Sequence, residues 1–209
     1  METIMLKILH YLQNLKEYHL DTYLHSIRVS ILANIIGERV VALSSSELDE
    51  LVLCAQFHDI GKLKISKTIL NKSQNLNTEE WYEIKKHPAY GAVLLRRDML
   101  YLPQNVIEGI YSHHEYFNGK GYPMGLKGED INIYARIIAV ADAIDAMTHK
   151  REYVSSVLSL ANALNEVVNC KGTQFDPFIC EKIMDLEKEF RISLLYIKEI
   201  INSQMPGLM

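Results

Sequence analysis

The stretch "IYARIIAVADAIDAMTHK", residues 133–150, restricts the possible folds more than any other part of the chain. Its spacing predicts a helix, and a helix with apolar residues on nearly every side is one that other elements enclose. Those elements are expected to be helices too, because helical periodicity dominates along the chain and alternating, strand-like runs are short and few. The expectation is an all-α fold, a single helical bundle. Ile4, Ile8, Leu12 and Leu15 share a face of a first helix, and an amphipathic stretch from Asp21 to about Val40 is a second helix or the far arm of one bent helix. "SSSELDELVLCAQFHDIGK" has serines placed to cap, acids in the first turn and Gly61 as terminator. Thr78 with Glu79 and Glu80 opens a helix toward Lys86, Pro88 starts the next, and Pro103 opens one ending at His113. "SLANALNEVVN" precedes a stop at Gly172, and a helix from Pro177 runs to about Glu189. The amphipathic tail "RISLLYIKEIINSQMPGLM" is expected to pack on the domain or on a partner. The domain is therefore read as residues 21–189, with a helical extension at 1–20 and the tail at 190–209.

With 209 residues, 48% of them apolar, the chain can form one domain with a substantial core. A net charge of −4 and a pI near 6.1 supply no broad cationic face for a nucleic-acid polymer, while small anionic substrates stay open. Cys54, Cys170 and Cys180 are too few and too scattered for a disulfide framework. No run of eighteen apolar residues occurs, and the start "METIMLKILHYLQNLKEYHL" has no signal-peptide pattern. A soluble, cytoplasmic protein without a membrane span is expected.

Five of the eight histidines, His25, His58, His87, His113 and His114, fall at helix ends or inward-facing turns. A single one would read as a hydrogen-bonded imidazole. Their carboxylate neighbours change that reading. Asp59 follows His58 at the end of an apolar helix, and Asp142 lies inside "RIIAVADAIDAM"; a buried carboxylate is costly unless a cation accompanies it. Asp21 and His25, four apart, project from one helix face. Imidazole and carboxylate without thiolate suit iron or manganese better than zinc. A centre with more than one metal is the expectation.

"HDIGK", "HHEYFNGKGYP" and "ADAIDAM", in this order, resemble the HD-GYP family of metal-dependent phosphodiesterases, and "HSIRV", "KHPAYGAVLL" and "GTQFDP" extend the likeness from about Asp21 to Pro177. The resemblance implies a helical HD-type fold, two or three iron or manganese ions, and cyclic di-GMP as substrate, cleaved to pGpG or GMP by a metal-bridging hydroxide. The family's metal ligands fall on His25, His58, Asp59, His87, His113, His114 and Asp142, with Asp59 as the bridge. Lys62 matches the lysine that contacts the scissile phosphate, and Gly121 and Tyr122 match the substrate-contacting pair. Gly119 and Gly121 are expected to take positive φ, and Gly125 and Gly128 to be turn residues. Asp21 resembles the acid of a three-metal subset, and equally suits the start of a helix.

Two positions depart from the family. "REYV" keeps Arg151, a substrate contact by resemblance, and Tyr153, but has Val154 where a second basic residue is usual; His19 stands where many members have aspartate. Both touch the substrate shell and spare the metals, so a GMP–AMP hybrid stays open as substrate. So do a receptor that binds without cleaving and a different HD-fold reaction. A homodimer or a regulatory protein partner is the expected assembly. His10, His19 and His149 read as solvated, Asp145 as a supporting acid or a helix-face residue, Arg28 and Arg136 as salt-bridge residues, and Trp81 as a packing anchor.

Overall fold

The structure, a computed structural model, describes residues 2–149 and 157–204. Eleven α-helices follow one another among these residues: α1 Glu2–Tyr18, α2 Leu20–Ile36, α3 Ser45–Phe57, α4 Lys67–Leu70, α5 Thr78–Ile84, α6 His87–Asp98, α7 Gln104–Ser112, α8 Ile133–Thr148, α9 Leu160–Asn169, α10 Pro177–Lys182 and α11 Glu187–Gln204. The described residues form no strand; Lys171 and Phe175 make one isolated bridge.

Local chemistry sets the helix starts. Ser44 and Glu47 form a reciprocal capping box at α3, and Asn77 and Glu80 form another at α5. α1 and α2 are separate helices, because His19 takes an extended conformation and its ring accepts the Thr22 N–H as the α2 cap. Its other nitrogen meets Asn71 Oδ1 at 3.0 Å, so His19 is a cap and not a merely solvated ring. α2 ends in a π-helical turn, Gly37–Val41, close to the expected limit. The helix expected from Pro177 is interrupted by a 3-10 turn at Ile183–Leu186 before α11 begins.

α8 is enclosed as its sequence requires. Ile137, Ile138, Val140, Ala141 and Ile144 are fully buried, and α2, α3, α7 and α9 surround them. Each large aliphatic buried in this way stabilises the fold by about 1.5–3 kcal/mol. Both ends of the chain join this body. Leu15 of α1 and Phe190 of α11 are fully buried in the main core, while Ile197 and Ile201 pack with Leu24 of α2 in a smaller cluster. Among the described residues no helix is long and apolar enough to cross a membrane.

Gly61 does not terminate α3, which ends at Phe57. It lies in a 3-10 turn, Ile60–Lys64, where a Cβ would sit 1.9 Å from the His87 carbonyl oxygen and 2.6 Å from Gly91 N. That position demands glycine because two backbones touch there. The contact brings the His58–Asp59 corner against the start of α6.

Candidate metal centre

Three helix ends converge at this corner. His58 is the C-cap of α3, His113 is the C-cap of α7, and His87 follows α5 by three residues. The last carbonyls of a helix have no intrahelical donor, and each of these rings uses one. Nδ1 of His58, His87 and His113 donates to the carbonyl three residues earlier, Ala55, Ile84 and Ile110, each at 2.7 Å. His25, in the second turn of α2, turns Nδ1 to Asp145 Oδ2 at 2.7 Å. In a neutral imidazole with Nδ1–H committed, Nε2 carries only a lone pair.

The bare nitrogens point at one another and at carboxylates. His87 Nε2 and His113 Nε2 are 3.2 Å apart, and His87 Nε2 is 3.1 Å from Asp59 Oδ1. His58 Nε2 is buried without a hydrogen-bond partner, 3.5 Å from Asp59 Oδ2. Both atoms of that last pair are acceptors, so the short distance does not make it an ion pair. Burial pushes the His58 imidazole down and the His113 imidazole well down, and burial with the nearby His87 pulls His114 to about 3. Neutral rings crowded this way are held apart from their repulsion only by positive charge, and the convergent C-terminal helix ends favour cations as well. The donor set fits divalent metal ions.

Two clusters emerge, each with ligand atoms within 4.8 Å of one another: His25, His58 and Asp59, and His87, His113 and His114. Asp59 joins them, with Oδ1 toward His87 and Oδ2 toward His58 and His25. Its backbone, at φ −99° and ψ 4°, occupies the sparsely populated bridge region where active-site residues recur. Asp142 Oδ1 is 3.0 Å from His25 Nε2. Burial raises the Asp59 carboxyl, yet the Lys62 ammonium beside it holds that carboxyl well below the usual carboxylate range. Lys62 Nζ donates to Asp59 Oδ2 at 2.6 Å.

Seven of the eight residues read as metal ligands thus come together. Asp21 does not: it is exposed in the first turn of α2 and belongs to neither cluster. Arg151, Tyr153 and Val154 lie outside the described residues.

The glycine-rich loop folds back over the second cluster. Tyr122 N donates to His114 O at 3.1 Å, and the Tyr122 ring stacks on His114 with centroids 4.9 Å apart. Glu115 staples the loop, since its Oε1 accepts from Met124 N at 2.6 Å and Gly125 N at 3.0 Å. Gly119, Gly125 and Gly128 have positive φ, but Gly121 does not. Gly121 is required for closeness instead, as a Cβ there would lie 2.2 Å from Tyr116 N.

Behind the centre lies a group that the sequence leaves undetermined. Asp145, fully buried, accepts from His25, from Arg28 through Nε at 2.7 Å and a second nitrogen at 3.0 Å, and from His149 Nδ1 at 2.9 Å. His149 is therefore a partner of Asp145 and not a merely solvated ring. The available signal was the spacing Asp142–Asp145, one turn of a buried helix.

The HD domain family matches residues 7–179 of this chain. A cyclic di-GMP phosphodiesterase of Thermotoga maritima is 35% identical over 189 residues, which cover 90% of this chain and 51% of that protein. The 3′3′-cGAMP-specific phosphodiesterase 2 of Vibrio cholerae is 34% identical over 170 residues, 81% of this chain and 32% of that protein. The solved structure of Bd1817, a HDG"Y"P protein from Bdellovibrio bacteriovorus, is similar in fold, with a TM-score of 0.62 and 24% identity over 78% of this chain and 51% of that one. This chain spans about half the length of the first relative and about a third of the second.

Proposed function

This chain belongs to the HD domain family, in its HD-GYP branch, and from that premise we propose that it hydrolyses a 3′–5′ phosphodiester of a cyclic dinucleotide, with cyclic di-GMP the first candidate. The observation that carries the reading is the set of imidazole nitrogens gathered around both oxygens of Asp59. In this proposal His25, His58 and Asp59 hold one ion and His87, His113 and His114 a second, with Asp59 shared and Asp142 joining through the His25 side. Iron or manganese matches the imidazole and carboxylate donors, since neither cluster contains a cysteine. Bound ions would supply an activated water and offset the charge on the phosphoryl oxygens.

The remaining work falls to protein groups. The backbone carbonyls and Asp145 fix the ring tautomers, so the nitrogens face inward before substrate arrives. Lys62, at the rim of the centre, lends a fixed positive charge to the reacting phosphate. The loop residues Gly121 and Tyr122 bound the space in which the substrate sits. A GMP–AMP hybrid is the second substrate reading, supported by the 34% identity to the Vibrio cholerae enzyme and by Val154 in place of a basic residue.

The test is anaerobic purification with metal analysis, followed by product identification from cyclic di-GMP and 3′3′-cGAMP on the same sample. Two or three ions per chain and conversion of at least one substrate are expected. Tight binding of a cyclic dinucleotide by fully loaded protein with no turnover would replace the enzyme reading with a receptor.

A further inference from the structure

From the proposed cyclic dinucleotide chemistry, on which this step rests, we infer that Lys85 and Trp81 form the subsite for the half of the substrate that is not being cleaved. Lys85 would meet the second phosphate, and Trp81 would stack the base beside it.

The geometry is a chain of contacts leading outward from the centre. His114 stacks on Tyr122; Lys85 Nζ lies 5.2 Å from the Tyr122 ring centroid and 5.7 Å from that of Trp81. Trp81 is half exposed, so about half of a side chain read from sequence as a packing anchor remains open to solvent. The charges around Lys85 are equally informative. Glu80 is taken by Lys72 and Glu83 by Lys86, and no carboxylate among the described residues pairs with Lys85. An ammonium between two aromatic faces gains only about 0.5–1 kcal/mol from each when exposed. The arrangement therefore leaves a cation available for an external anion, next to a half-exposed indole. Stacking of a base on such a face contributes about 1–3 kcal/mol and tolerates different bases. A cyclic dinucleotide carries a second phosphate and a second base of this kind, and a chain of net charge −4 has no general attraction for a dianion. α5 presents both residues, and Lys85, its C-cap, is two positions before His87, so the subsite is coupled to the centre by a short rigid segment.

Trp81 is the sole tryptophan, so tryptophan emission excited beyond the tyrosine absorption reports on this position alone. Metal-loaded protein titrated with a phosphorothioate analogue of cyclic di-GMP should show a saturable change in that emission. Lys85→Gln should weaken analogue binding about tenfold and raise KM for cyclic di-GMP by a similar factor, with a much smaller change in kcat; Lys85→Arg should recover most of the affinity. Bis(p-nitrophenyl) phosphate, a diester with no second phosphate, separates the subsite from the centre: its turnover should suffer at least fivefold less than that of cyclic di-GMP. Equal losses on both substrates, or wild-type affinity and KM in Lys85→Gln, would overturn the subsite while leaving the phosphodiesterase reading intact. Wild-type protein that neither binds nor cleaves any cyclic dinucleotide would remove both.

Discussion

Asp59 and Asp145 are both buried carboxylates held well below the usual range, and they face each other across the His25 ring. Their surroundings are opposite. Around Asp145 the protein has placed donors: the Arg28 fork, His149 and the Nδ1 of His25. Around Asp59 it has placed Lys62 and a crowd of acceptors, the Nε2 atoms of His58 and His87 and the His25 ring. A carboxylate whose lone pairs are answered by protein hydrogens completes a scaffold, whereas one surrounded by further lone pairs is completed only by cations. Burial and pKa direction alone do not distinguish the two; counting donors against acceptors does.

Replacing the two acids should break the molecule in different ways. Asp59→Ala should abolish turnover, by three orders of magnitude or more on the order of the loss of about 4 kcal/mol of transition-state stabilisation, and strip metal while the metal-free protein stays folded. Normal metal content and normal activity in that variant would end the comparison. Asp145→Ala leaves the largely enclosed Arg28 guanidinium unpaired, and urea denaturation should report about 2–4 kcal/mol of lost stability, with metal affinity down about 10–100-fold. If Asp145→Ala were as stable as wild type, the scaffold role would fall. Lys62→Ala should keep the metal yet raise the barrier by about 2–4 kcal/mol; an unchanged kcat/KM would remove Lys62 from the reaction.

The last effect is on pH. His58, His113 and His114 are depressed in the folded state, so the unfolded chain binds more protons below about pH 6.5, and metal-free protein should lose stability as pH falls from there, by about 1.4 kcal/mol per pH unit for each ring. For His114 the loss continues to about pH 3. His114→Gln should lower the slope by about one proton's worth between pH 6 and 4, and an unaltered slope in urea titrations would show that this ring is not the one titrating.

Much of this site was legible beforehand because residue type and spacing carry it: histidines at helix ends, acids inside apolar runs, and a glycine-rich loop after "HH". The all-α fold was legible for the same reason, through the 3.6-residue period and the capping serines ahead of α3. What escaped the sequence depends on close approaches and partners that no spacing rule displays. Gly61 looked like a helix stop, and its reason is the His87 carbonyl oxygen twenty-six positions on. Gly121 looked like a positive-φ turn and is a close approach to Tyr116. Asp145 remained undecided because three of its partners come from α2 and from the end of its own helix. The 3-10 and π turns that break the helices follow from packing and leave no periodic mark.

Each ring at the three helix ends is tied to a carbonyl of the helix that precedes it, only three residues back. A ring held this way cannot flip without surrendering that bond, so the ligating rotamers are already occupied before any ion arrives. Loading would then cost these side chains little conformational entropy. The same tether makes ligand orientation a local property of three short segments, so loops between the helices can lengthen or shorten without retuning the rings.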